Sequence, residues 1–268
     1  MLALWRGEDV GSGRIDGRAG PRSKNQGVVS DCRKEEWYNG LTTAHKRSEA
    51  WQTLPGASIG RRVKARPYDA APRLPEGDSI DLRALVRGDW MELEVGPGRG
   101  WFLVERAAAE PKAALVGLEV RRKWASIVDE RLAKRGLGAT ARVFAEDAGI
   151  ALPRIHPDAS VRRIFVHFPD PWWKKRHRKR LVVKEGFVAE VARLLERGGE
   201  LYVQTDVEER AVEIEALVAE ESRLVPAGDT NDGPRMSDNP YEARSPRERR
   251  AIADGLPVHR LRWRRGDA

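Results

Sequence analysis

From Trp90 onward the chain alternates short apolar runs with amphipathic stretches of helical length, the pattern of βαβ units wound around a parallel sheet. The runs Trp90 to Val95, Ala113 to Leu118, Ala141 to Phe144, Arg163 to His167 and Glu200 to Thr205 predict strands. Phe187, Val188, Val191, Leu194 and Leu195 fall at i, i+1, i+4, i+7 and i+8, one buried helical face, and Gly198 and Gly199 are expected to stop that helix. Val207, Ala211, Ile214 and Val218 mark a second helix. The chain then turns through GDTNDGP, and Val258 to Trp263, with alternating arginines, predicts a late edge strand. No internal repeat interrupts this order.

Order is expected to begin near Ile80. Gly7 to about Pro75 is rich in Gly, Ser, Arg and Pro and holds neither period 2 nor period 3.6, apart from a short helix expected over Trp37 to Trp51. The expected organisation is therefore a mostly disordered, basic extension over residues 1–79 and one folded domain over 80–268. A nonfunctional tail, a wrongly chosen start codon and a nucleic-acid-contacting arm all fit the extension's composition.

Charge adds a partner class. The 268 residues hold 49 Lys plus Arg against 41 Asp plus Glu, a net +8 with a pI near 9.8, which favours a polyanionic partner over an acidic or neutral one. Cys32 is the single cysteine, which excludes an internal disulfide and argues against a cysteine-based zinc site; a reducing, cytoplasmic setting is expected. Met1 to Val10 carries Trp5, Arg6, Glu8 and Asp9 where a signal peptide needs an unbroken apolar stretch. Nowhere do eighteen apolar residues run together, so a soluble protein without a membrane partner is expected.

The run ELEVGPGRG, Glu92 to Gly100, ends the first strand in a glycine-rich turn that leads into the helical stretch Trp101 to Ala109. Gly96, Gly98 and Gly100 let the backbone approach a ligand at the carboxyl end of a strand, where open α/β sheets place cofactors. The spacing is G-x-G-x-G, not the G-x-G-x-x-G of dinucleotide folds, and Glu94 lies just before the turn. Glu119 follows the second strand, where an acid can accept from both hydroxyls of an adenosine ribose; alone it would be an acid favoured by a helix N-terminus. Asp147 follows the third strand, within reach of an adenine amino group or as an ordinary N-cap. Three acids beside a glycine turn suit S-adenosylmethionine better than a phosphate ligand, and no metal is expected.

After the fourth strand comes FPDPWWKKRHRKR, Phe168 to Arg180. Asp170 is fixed between Pro169 and Pro171 at the same sheet edge as Glu94, Glu119 and Asp147. Lys174, Lys175, Arg176, Arg178, Lys179 and Arg180 can neutralise phosphates, while Trp172 and Trp173 either stack on a base or anchor the loop. The pattern PDPW-x-K-x-R-H-x-K-R resembles that of the bacterial tRNA (guanine-N(7)-)-methyltransferases, and the similarity runs from about Met91 to Arg264.

That resemblance implies an α/β class I, Rossmann-like fold for an S-adenosylmethionine-dependent methyltransferase, a mostly parallel twisted sheet with helices on both faces. It implies S-adenosylmethionine contacts at Glu94, Glu119, Asp147 and Asp170, beside Gly96 and Gly98, and RNA contacts at Lys174 and Asp206. The family's late motif T-x-F-E-x-R stands here as Asn239, Pro240, Tyr241, Glu242, Ala243 and Arg244, which adds residues 239–242 to the expected substrate site. The implied reaction methylates nitrogen-7 of a guanine in the variable loop of tRNA, with Asp170 as the catalytic residue. Alternatives are an inactive RNA-binding protein on the same scaffold, and a methyltransferase for another RNA base or a small molecule. A nicotinamide dehydrogenase comes last, because it leaves FPDPWWKK without a use. Both a monomer and a homodimer are compatible with the chain.

Overall fold

The structure is a computed structural model that describes residues 68–169, 181–229 and 232–267, with the backbone of Trp51–Gln52 and Val63–Lys64. The expected N-terminal extension and its helix over 37–51 lie outside the described residues, apart from those short pieces. Five parallel strands form the centre: β1 (Trp90–Val95), β2 (Ala113–Leu118), β3 (Ala141–Phe144), β4 (Val161–His167) and β5 (Leu195–Thr205). Three more, β6 (Leu224–Pro226), β7 (Arg235–Met236) and β8 (His259–Arg265), complete the sheet in the order β3-β2-β1-β4-β5-β8-β6, with β7 also paired to β8. β8 runs antiparallel to β5. The order reverses between β1 and β4, the switch point at which open α/β sheets bind ligands beyond their carboxyl ends.

The helices are α1 (Trp101–Ala109), α2 (Arg122–Lys134), the single turn α3 (Ala148–Ala151), α4 (Glu185–Leu194), α5 (Glu208–Ala219) and α6 (Pro246–Ala253). They cover both faces, as the expected class I fold requires. α4 and α5 bury Phe187, Val191, Ile214 and Val218 against Leu93, Ile164, Val166 and Val203, while α1 and α2 bury Leu103, Val128 and Leu132 against Leu115 and Val143. Ala71 and Leu74 are also buried in these cores, ahead of Ile80.

Two expectations need correction. α4 ends at Leu194, not at the glycine pair, because Leu195 turns extended and pairs with Val161; Gly198 and Gly199 lie within β5. A Cβ on Gly199 would stand 2.8 Å from Glu196 O and 3.0 Å from Arg162 O, so the glycine serves strand contact and not helix capping. The late strand, β8, is interior and not an edge, since β5 lies on one side and β6 and β7 on the other.

The alternation in β8 has a different cause from an exposed edge. Leu261 and Trp263 enter the apolar core, and Arg260, Arg262 and Arg264 share the opposite face with acids. On that face Glu92, Arg163, Glu200 and Arg264 lie side by side across four neighbouring strands. Glu92 accepts from Arg106 Nε at 2.9 Å and Nη2 at 2.8 Å, from Arg163 Nη1 at 2.7 Å and from the Trp90 indole at 3.1 Å. Burial alone would raise the Glu92 pKa; the two guanidiniums outweigh it and hold the carboxyl below the usual range. One layer closer to the carboxyl edge come Glu94, Phe165 and Tyr202, then His167 and Gln204. Over β1, β4, β5 and β8 the sheet is thus apolar on one face and ionic and aromatic on the other, whereas β2 carries apolar residues on both.

Candidate active site

β1 delivers its last side chains to a turn in which Gly96 and Gly98 take φ of +72° and +55°. Only open space surrounds the place of a Gly96 Cβ, so this backbone can lie against a ligand. Glu119, at the end of β2, braces the turn: its Oε2 accepts from Gly98 N–H at 2.8 Å and its Oε1 from Arg121 N–H at 2.9 Å. The carboxylate is buried, and each oxygen keeps a lone pair for a further donor.

Glu94 is 4% exposed and meets His167, the last residue of β4, with Oε1 at 2.9 Å from Nδ1. The imidazole ring centre lies 3.9 Å from that of Phe102 and 5.9 Å from that of Phe165. Glu94 Oε2 and His167 Nε2 are buried and have no hydrogen-bond partner among the described residues. An acceptor left open beside an open glycine turn fits a ligand that brings its own donor.

Asp147 caps α3, its Oδ1 accepting from Gly149 N–H at 2.8 Å, and its side chain is exposed at the same sheet edge. Phe168 follows β4 with φ +49°, anchored by its N–H to Gln204 O at 2.8 Å. Asp170, Lys174, the two tryptophans Trp172 and Trp173 and the rest of the cationic run lie outside the described residues. Next to Phe168, Asp206 receives two hydrogen bonds from Arg247 of α6, Nε at 3.0 Å and Nη2 at 2.9 Å, and Arg247 lies 5.5 Å over the Phe168 ring. α6 thereby reaches the segment that leads into Asp170.

The late motif divides. Asn239 is buried and fully engaged: Nδ2 donates to Ala243 O at 2.9 Å and to Glu248 Oε2 at 3.0 Å, and Oδ1 accepts from Tyr241 N–H at 3.0 Å. Tyr241 is buried too, its hydroxyl donating to Glu200 at 3.1 Å, with burial first and then the Glu200 charge pushing its pKa up. Pro240 and Glu242 are exposed. The structure therefore brings Glu94, Gly98 and Glu119 together and sets Asn239 and Tyr241 inside the fold.

His167 and Arg247 are the residues that sequence reasoning passes over. A histidine closing an apolar strand, two positions after Phe165 and so on its face, is the one signal that was available. Among the described residues no three His, Cys, Asp or Glu side chains gather as a metal site, and no helix is long and apolar enough to cross a membrane.

Residues 89–261 match a family profile described as "Putative methyltransferase". The chain is similar to curated tRNA (guanine-N(7)-)-methyltransferases from three bacteria. That of Rhodopirellula baltica is 35% identical over 279 aligned positions, covering 98% of this chain and 97% of that one. That of Anaeromyxobacter dehalogenans is 42% identical over 175 positions, covering 65% and 85%. That of Myxococcus xanthus is 37% identical over 172 positions, covering 64% and 82%.

Proposed function

The chain belongs to the tRNA (guanine-N(7)-)-methyltransferase family, and from that membership we propose that it transfers a methyl group from S-adenosyl-L-methionine to nitrogen-7 of a guanine in tRNA. The target we assign is the variable loop, and the setting the cytoplasm. The structural observation that carries this reading is the carboxyl edge of β1 and β2, where an open glycine turn is braced by Glu119 and preceded by Glu94, one oxygen of which no described residue meets.

When bound, S-adenosylmethionine supplies a methyl carbon made electrophilic by the sulfonium. Glu94 and Glu119 would hold it, Glu119 through the lone pairs its two backbone bonds leave over, and Asp147 would accept from the adenine amino group. Nitrogen-7 of guanine has an in-plane lone pair and no proton, so the chain needs no general base there. Asp170 is assigned to orienting the base through its ring N–H and amino group and to stabilising the positive charge of 7-methylguanine. Lys174 and the neighbouring cations would take phosphates, and Asp206, with Pro240 and Glu242, would border the RNA. Asn239, where the family motif has Thr, makes three hydrogen bonds within the fold, which supports a structural role for it.

The test is incubation of purified protein with S-adenosylmethionine and unmodified tRNA, followed by mass spectrometry of the nucleosides and mapping of the modified position. The expected product is 7-methylguanosine in the variable loop. Another methylated base, or cofactor binding without transfer, overturns the reading.

A further inference from the structure

We infer that His167 is a positioning residue for the cofactor: its Nδ1–H holds the Glu94 carboxylate so that Oε2 stays free to accept from the α-ammonium of S-adenosylmethionine. The inference rests on the cofactor reading above and adds a residue to it.

Buried carboxylates on the same side of the sheet differ in how their oxygens are met. Glu92 uses both oxygens and takes four hydrogen bonds from Trp90, Arg106 and Arg163. Glu119 also uses both, on Gly98 and Arg121. Glu94, equally buried, has one oxygen on His167 and the other on no donor among the described residues. Desolvating a carboxylate is unfavourable unless its lone pairs are met, so a purely structural Glu94 would have a second donor. A half-met carboxylate at the cofactor edge fits a donor that arrives with the ligand.

The imidazole of His167 is fixed in place. Register sets His167 beside Gln204, and the ring is walled by Phe102 at 3.9 Å and Phe165 at 5.9 Å, with Tyr202 at 6.1 Å. Its side chain is 4% exposed, as is that of Glu94. In a neutral imidazole, donation from Nδ1 to the Glu94 carboxylate fixes the tautomer and leaves Nε2 with a lone pair. Among the described residues, Glu94 Oε2 and Gln204 Oε1 on β1 and β5 are buried acceptors without a donor, and His167 Nε2 on β4 is a third when the imidazole is neutral. An ammonium offers three donors and no acceptor, and the methionine half of the cofactor carries one.

Two substitutions separate the hydrogen bond from the packing. His167→Phe keeps a ring against Phe102 and removes the Nδ1 donor; His167→Asn puts an amide N–H where Nδ1 stands and gives up the ring. Calorimetric titration uses two ligands, S-adenosylhomocysteine, which has the ammonium, and 5′-methylthioadenosine, which lacks the amino-acid half. His167→Phe is expected to weaken S-adenosylhomocysteine about 10- to 100-fold, the range for a hydrogen bond to a charged group, and to leave methylthioadenosine unchanged. His167→Asn is expected to recover most of that affinity at a lower melting temperature. Equal loss of both ligands in His167→Phe, unchanged homocysteine binding, or failure of Asn to outperform Phe overturns the assignment. No arm uses tRNA, so a wild-type protein that makes no 7-methylguanosine would sink the proposed reaction and leave this comparison readable.

Discussion

Glu119 accepts a hydrogen bond from the backbone N–H of Gly98 at 2.8 Å, a link across 21 residues that fastens the end of β2 to the glycine turn after β1. The carboxylate assigned to the ribose therefore also shapes the backbone on which the cofactor would rest. Glu119→Gln must turn an amide N–H toward Gly98 N–H or Arg121 N–H, donor against donor. Leaving one buried amide unmet costs about 1–3 kcal/mol, or roughly 2–4 °C of melting temperature per kcal/mol in a domain of this size. The expected result is at least about a tenfold weaker S-adenosylhomocysteine affinity by calorimetry, alongside that loss of stability. Wild-type affinity in this variant would deny Glu119 both roles.

Arg247 and Asp206 make a bidentate pair, yet the arginine side chain is 48% exposed and the aspartate 19%. Such a pair contributes about 0.2–1 kcal/mol to stability. Its importance is positional, because Arg247 also covers Phe168 and so ties α6 to the chain entering Asp170. Arg247→Ala is expected to leave the melting temperature nearly unchanged, leave cofactor affinity unchanged, and lower kcat/KM for tRNA about tenfold through misplacement of the reacting groups. Full activity would make the pair a surface contact and nothing more.

How much of this was legible beforehand depends on sequence separation. β1, β2 and β3 have the limits that their apolar runs and flanks indicate, because each signal lies within the strand itself. Leu195 continues a helical period and is nonetheless extended; the deciding partner, Val161, is far upstream. The arginines of β8 alternate as read, but the acids that draw them to that face, Glu200 of β5 and Glu248 of α6, are visible only once β5 and α6 are packed beside β8. At the site, the glycine turn and Glu94 announce themselves locally. His167 does not, since a polar residue closing an apolar strand ordinarily meets water, and its partner lies 73 residues away.

The acid and the cations of FPDPWWKKRHRKR are expected to separate experimentally. Asp170→Ala should abolish methyl transfer while tRNA affinity, measured by filter binding, stays near wild type, because orientation of the base and not attachment of the RNA is lost. Lys174→Ala should weaken tRNA binding and reduce the slope of log affinity against log salt by about one counterion. An active Asp170 variant, or a salt slope that Lys174→Ala leaves intact, would remove the respective residue from its role.

Glu92, buried and paired with two guanidiniums, is expected to contribute to the acid limit of stability. Burial raises its pKa and the guanidiniums of Arg106 and Arg163 lower it further than burial raises it, so the folded-state value lies below that of the unfolded chain. Glu200 behaves alike, burial being outweighed by Arg262, Arg264, Tyr241 and Arg163. A depressed carboxyl pKa contributes stability that is fully present above the unfolded value, about 4.3, and is lost as pH falls through the folded one. The melting temperature is therefore expected to hold from neutrality to about pH 5 and to fall steeply below about pH 4. Glu92→Gln leaves two guanidiniums facing a neutral amide in a buried layer, a loss of about 3–5 kcal/mol at neutral pH, and it removes one of the protonations behind the acid decline. Calorimetric scans from pH 3 to 8 should then show a lower plateau and a shallower acid slope in the variant. An unchanged slope would move the acid sensitivity of the fold away from this layer.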